Sequence, residues 1–66
     1  MKAGDKVICI AVYAAKGRGV TGVVKKVQRR AKSFFGDRLL IVRDDGIPGS
    51  GPNGEWVSNA DCWRVL

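Results

Sequence analysis

Three glycines in six residues, Gly17, Gly19 and Gly22, stand just ahead of a valine-rich segment. Their spacing limits the fold more than any other feature of the chain. Glycine reaches backbone conformations and close approaches closed to other residues, so a cluster marks a tight turn or tight packing. Two incompatible architectures use such a cluster. In one, G-x-G-x-x-G joins a strand to a helix and lets a pyrophosphate approach the helix N-terminus. In the other, the glycines let a β-strand curl or bulge against its neighbours. The period of the next segment fits the helix: Val20, Val23, Val24, Val27, Ala31, and Phe34 or Phe35 recur at three- and four-residue steps. Its composition does not. Gly22 lies in the first turn and Val fills four of the first eight positions, and both are poorer helix formers, Gly by up to ~1 kcal/mol relative to Ala.

The flanking segments read as strands. Residues 7–13 (VICIAVY) are dense in β-branched side chains and apolar on both faces, which suits a strand buried from two sides or wrapping a small barrel. Gly4, Asp5 and Lys6 before them form a turn, and 14–19 form a loop with Gly17 and Gly19 flanking Arg18. Residues 38–43 (RLLIVR) are a strand ended by the turn signal Asp44-Asp45-Gly46. Residues 47–54 hold two Pro and three Gly in eight and read as a mobile loop. A short strand over 55–57, one helical turn over 58–61 and a last strand over 62–66 complete the chain. If 20–28 is also a strand, its two lysines lie outside and a bulge falls near Gly22. The stretch 29–37 is then an exposed charged loop with Phe34 and Phe35 folding back.

The dinucleotide fingerprint has a strand before it and Asp44-Asp45 about twenty residues on, as the motif asks. Three features oppose it. A lone βαβ unit is normally part of a larger sheet, and too little chain follows the second strand to supply one. Three residues separate Tyr13 from Gly17, where the motif needs a tight turn. The pattern also arises easily by chance in a chain with nine glycines. Sixty-six residues form one domain, 1–66, near the lower size for a core without disulfides, metal or partner.

Taken as Gly19-Val20-Thr21-Gly22-Val23-Val24-Lys25-Lys26-Val27, and preceded by Gly4-Asp5-Lys6-Val7, the same glycines give G-x-x-G-x-V-x-x-V after a G-D-x-V turn. These residues resemble the KOW-type and related SH3-like small barrels of NusG-type transcription factors and some ribosomal proteins. The opening MKxGDKVICI and the closing Trp56-Val57 and Cys62-Trp63-Arg64-Val65-Leu66 also look like small barrel proteins frequent in bacteriophage genomes. The resemblance implies an all-β, five-stranded SH3-like barrel whose first and last strands pair, which would bring Cys9 and Cys62 into one neighbourhood. The chain departs from the pattern in a longer basic insert after the second strand and in its Pro/Gly loop. Small barrels of this kind also dimerise, and Ile8, Ile10 and Leu40 are the candidate contacts for a homodimer.

The chemistry left for function is binding. With no His, the usual acid–base and nucleophile-activating partner is missing, so the chain is expected not to be an enzyme. Asp44 and Asp45 are neighbours that point apart in a turn. Ser33, Ser50 and Ser58 lack a nucleophile-elbow context, and no P-loop pattern occurs. Two cysteines 53 positions apart make neither a zinc site nor a disulfide framework, so buried thiols and no metal or cofactor are expected. No apolar run approaches ~18–20 residues and no secretion pattern opens the chain, so a cytoplasmic, non-membrane protein is expected.

Charge is the remaining signal. Seven of the twelve Lys and Arg, with no acid among them, fall within residues 16–32, while the other five face six acids. A local basic patch at a pI near 9.9 fits an anionic partner, nucleic acid first and an acidic protein surface second. The candidate nucleic-acid contacts are Lys16, Arg18, Lys25, Lys26, Arg29, Arg30, Lys32 and Arg38 for phosphates, with Phe34 and Phe35 as stacking faces. Trp56 and Trp63 are expected in the core or at the barrel rim. The alternative is a protein-docking module, phage-encoded by resemblance, that modulates a larger complex through its loops.

Overall fold

The computed structural model describes residues 1–11, 18–30, 32, 34 and 36–66. The chain forms one antiparallel sheet of five strands. They are β1 (Lys6–Cys9), β2 (Thr21–Gln28), β3 (Arg38–Arg43), β4 (Trp56–Asn59) and β5 (Trp63–Val65). Their order across the sheet is β4-β3-β2-β1-β5. A 3-10 turn, Ala60–Cys62, leads into β5, and its first carbonyl accepts the Trp63 N–H. The fold is therefore all-β. The ladder of paired strands runs from β4 to β5, with no pairing between these two.

The segment whose period suggested a helix is the longest strand. β2 pairs with β1 through Thr21, Gly22 and Val23, and with β3 along Gly22–Val24 and again over residues 26–28. Between the two stretches the register slips: Val24 faces Ile41, Lys26 faces Leu40, and Lys25 is the extra residue of a bulge. A bulge resets the two-residue alternation. Val24 is fully buried, Lys25 and Lys26 are both exposed, and Val27 is partly buried against the core. One bulge thus turns a period of two into a step of three, which imitates helical spacing.

The bulge lies at Lys25 and not near Gly22, whose role is different. A Cβ on Gly22 would stand 2.6 Å from the Val42 carbonyl oxygen and 2.8 Å from Ile41 Cγ2. The glycine is needed because β3 passes too close for any side chain. With Thr21–Gln28 a strand, no helix N-terminus follows the glycines and the dinucleotide reading is overturned. Gly17 and two positions expected in the first strand, Val12 and Tyr13, lie outside the described residues, and β1 ends at Cys9. There the Cys9 carbonyl accepts the Gly19 N–H, which closes the β1–β2 ladder, and the Ile10 N–H turns to the Cys62 carbonyl.

The core takes one face of every strand that has buried residues. Val7, Cys9, Ala11, Val24, Leu39, Ile41, Cys62 and Trp63 form one cluster, with Val27, Trp56 and Ala60 packed against it. β1 and β5 do pair, Cys9 opposite Trp63, so both cysteines reach the same core, where they are buried and not joined in a disulfide. Trp63 is buried and its indole N–H donates to Ser58 Oγ at 2.9 Å.

The 47–54 loop is not loose. Gly49 N–H donates to the Gly54 carbonyl, Gly51 N–H to the Glu55 carbonyl, Asn53 N–H to Glu55 Oε1, and the Trp56 indole N–H to the Ile47 carbonyl. Gly49 and Gly51 sit so close to Glu55 and Trp56 that a Cβ would meet backbone at 2.5 Å and 2.8 Å respectively. Proline and glycine here set a packed corner.

Candidate nucleic-acid interface

Residues directly opposite on neighbouring strands share a sheet face. The face opposite the core is therefore read from the register, row by row. Lys6, Val23 and Val42 form one row, Lys26, Leu40 and Val57 the next, and Gln28, Arg38 and Asn59 the third. The third row continues into the insert after β2, because Arg30 Nη2 donates to Asn59 Oδ1 at 2.9 Å. Lys25, Lys26, Arg38 and Arg30 thus lie around one end of the outer face, although the chain separates Lys26 from Arg38 by twelve positions.

The ten candidates do not act alike. Lys25, Lys26, Lys32 and Arg38 are exposed, and among the described residues no acid or hydrogen-bond acceptor holds their side chains. Arg29 and Arg30 are partly committed. Arg29 Nη1 reaches Asp37 Oδ2 at 2.7 Å, and Arg30 gives its Nε–H to the Gly36 carbonyl at 3.1 Å as well as bonding Asn59. These bonds close the mouth of the insert, and a phosphate could use only what they leave free. Arg18 is exposed in a turn with Gly19, at the opposite end of β2, roughly 25 Å of strand away. It cannot share a phosphate with Arg30. Phe34 is 95% exposed, beyond the cationic end of the sheet. Lys16 and Phe35 lie outside the described residues.

Three acids define where the positive charge is cancelled. Asp37 closes the insert: its carboxylate accepts the Arg30 N–H, which holds its pKa below the usual carboxylate value, and Arg29 adds to the effect. Asp44 and Asp45 form the expected turn after β3 and point to different partners. Asp44 is lowered by the Lys6 ammonium and the Thr21 hydroxyl, Asp45 by the Arg43 guanidinium. Lys6 and Arg43 are thereby neutralised, and the second Asp also accepts the Ile47 N–H at 3.1 Å. Lys25, Lys26 and Arg38, which no acid holds among the described residues, lie at the other end of β3.

Sequence reasoning missed two features. Arg43 is 8% exposed, with its guanidinium carbon 4.3 Å from the Trp56 ring centroid and its Nε 3.0 Å from Asp45 Oδ1. Nothing in RLLIVR distinguishes this buried arginine from the exposed Arg38. Beside it, Gly49, Ser50, Trp56 and Val57 line a cavity of about 270 Å³ that only the fold of the 47–54 loop creates. Of the three proposed dimer contacts, Ile10 is exposed, Ile8 half-buried and Leu40 buried at 7%. Leu40 does point away from the core, but Lys26 and Val57 flank it and it offers almost no surface.

Among the described residues no group of three or more Cys, Asp or Glu is placed to hold a metal, and no helix is long and apolar enough to cross a membrane. The fold and site together define a small all-β protein with a cationic sheet face. No protein-family model matches the chain, no curated protein matches it, and no solved structure matches its fold.

Proposed function

We propose that this chain is a small, non-enzymatic binding module of the SH3-like, KOW-type kind that holds nucleic acid on its basic sheet face. One observation carries the reading: Lys25, Lys26 and Arg38 gather beside Arg30 on one outer face with no acid holding the first three among the described residues. Exposed cations without internal partners are what a polyanion needs, since each phosphate contact releases condensed counterions. The strand order and the β1–β5 pairing support the small-barrel part of the reading. So does an energetic point: a single sheet without a helix layer buries one face only by curling over it.

Titration of the whole chain with labelled single-stranded RNA and DNA tests the function. Four phosphate contacts predict a log–log salt slope near about −3 and a loss of roughly 50-fold in affinity between ~50 and ~200 mM salt. Absence of binding at low salt, or binding indifferent to salt, rejects it. The second reading, a docking module for an acidic protein, draws on Val42 and Val57, each about two-fifths exposed on the same face. A bound protein retained after nuclease treatment would favour that reading.

A further inference from the structure

Among the described residues β4 pairs on one side only, with β3. Which of its backbone groups face the unpaired side follows from one hydrogen bond. The Ala60 N–H donates to the Asp37 carbonyl at 2.8 Å, and the register that sets Arg38 opposite Asn59 also sets Asp37 opposite Ala60. Opposite pairs in an antiparallel ladder alternate between hydrogen-bonded and non-bonded. Trp56 and Ser58 are therefore bonded to β3, while Glu55, Val57 and Asn59 turn their N–H and C=O groups away from it. The Glu55 carbonyl agrees, because it accepts the Gly51 N–H of the 47–54 loop at 2.8 Å. The Asn59 carbonyl, at the N-cap position, belongs to the 3-10 turn. That leaves the Val57 N–H and C=O and the Asn59 N–H with no partner among the described residues, and Val57 is 41% exposed. Proteins guard such a strand with Lys, Pro or a bulge, because unpaired backbone groups invite another chain. Residues 56–59 (WVSN) carry none of these. The other strand with one neighbour, β5, is better guarded: it is three residues long, carries Arg64, and gives its first N–H to the Ala60 carbonyl.

We propose that β4 is a docking strand for an extended acidic segment of a partner protein, which adds to the sheet beside Val57 and Asn59. The inference goes beyond nucleic-acid binding and does not rest on it. Backbone hydrogen bonds hold an added strand, and its alternate side chains supply the specificity. The residues of the segment opposite Val57 and Asn59 share the outer face with them and stand two positions apart. The first packs on the Val57 side chain, which favours a β-branched apolar residue. The second meets two cations. Arg30 Nη2 lies 2.9 Å from Asn59 Oδ1, and Arg38 stands opposite Asn59 on β3, held by no acid among the described residues. Arg38 is two strand spacings from the added strand, roughly 10 Å, a gap that an arginine and a glutamate side chain span together. A carboxylate there forms charge-assisted pairs that a neutral side chain cannot. The recognised segment is thus Val or Ile, any residue, then Asp or Glu, in extended form. A second copy of the chain fits less well. At a net charge of +6, with no acid in residues 56–59, it would set one basic edge against another.

The test uses the full, isotope-labelled chain and three short synthetic peptides. One carries the Val-x-Glu pattern, one has Lys in place of that Glu, and one is the first peptide N-methylated at its Val and Glu. Amide hydrogen exchange is followed residue by residue by NMR, so no variant has to fold. The first peptide is expected to slow exchange of the Val57 and Asn59 amides by about tenfold or more and to leave the amides of β5 unchanged. The Lys peptide is expected to bind about tenfold more weakly, since like charges then meet. The N-methylated peptide, which cannot donate to the Val57 carbonyl, is expected to lose binding. Equal protection by the N-methylated peptide, binding that leaves Val57 and Asn59 unprotected, or no binding of any peptide overturns the docking strand. So does protection of these amides that rises with protein concentration alone, which makes a second copy the occupant. Protection by single-stranded RNA and not by peptide overturns it as well, and gives the strand to nucleic acid. The nucleic-acid reading stands or falls separately, on its own salt titration.

Discussion

The two ends of β3 both finish in arginine and use it in opposite ways. Arg43 is buried, stacked on Trp56 and paired with Asp45, at the end where the glycine loop packs against β4. Arg38 is exposed beside Gln28 and Asn59, at the end where Lys25, Lys26 and the insert collect. A six-residue strand places its first and last side chains on opposite faces, because the alternation has a period of two. One arginine must therefore point to the core side and the other away. The lesson is that net charge is a poor guide to a binding surface. At one end the positive charge holds the fold together, and at the other it is available to a partner.

The sharpest way to break this contrast is to remove each arginine in turn. Arg43→Ala is expected to cost about 2 kcal/mol of stability through lost stacking and packing of the buried stem. Urea unfolding would show this, and it is a large fraction of what a domain of this size has. Arg38→Ala should change stability by less than about 0.5 kcal/mol while weakening nucleic-acid binding. Equal stability losses would erase the distinction.

Gly49→Ala probes the packed corner alone. Its Cβ would meet the Glu55 carbonyl oxygen at 2.5 Å, so overpacking should cost roughly 1–2 kcal/mol and lower the melting temperature. An alanine tolerated there without loss would mean that the loop gives way readily.

Acid sharpens the comparison with the smallest effect. Asp45, lowered by Arg43, and Asp37, lowered first by the Arg30 N–H, each have a folded pKa below the unfolded value near ~3.9. A depressed carboxyl adds stability that is fully present above the unfolded pKa and is lost as pH falls through the folded one. Stability should therefore be flat near neutrality and decline below about pH 4. Asp45→Asn and Asp37→Asn should each make that decline shallower. A decline that begins near pH 6 would point to some other group.

Much of the fold was legible in local chemistry. The bounds of 38–43 are those of β3, because an apolar run of four residues between two arginines ends at the turn signal Asp44-Asp45-Gly46. The helical turn before the last strand, and the pairing of first and last strands that the resemblance implied, also appear, with the turn at Ala60–Cys62. The candidate site was legible only as a list of cations. Which of them lie together depends on register, and neither Lys26 near Arg38 nor Arg30 at Asn59 can be read along the chain.

The amino-acid sequence by itself determined the approximate place of four of the strands, both bounds of one of them, 38–43, and that its positive charge is concentrated in residues 16–32. It does so because strand propensity, turn chemistry and charge are properties of neighbouring residues. The glycine cluster shows where that ends. Gly22 is required by β3 lying 2.6 Å from where its Cβ would be, and the three-residue valine step comes from a bulge opposite Leu40. Only the tertiary structure decided these, together with which arginine is buried and where the cavity opens. Each depends on a neighbour that is distant in sequence, and no local pattern encodes it.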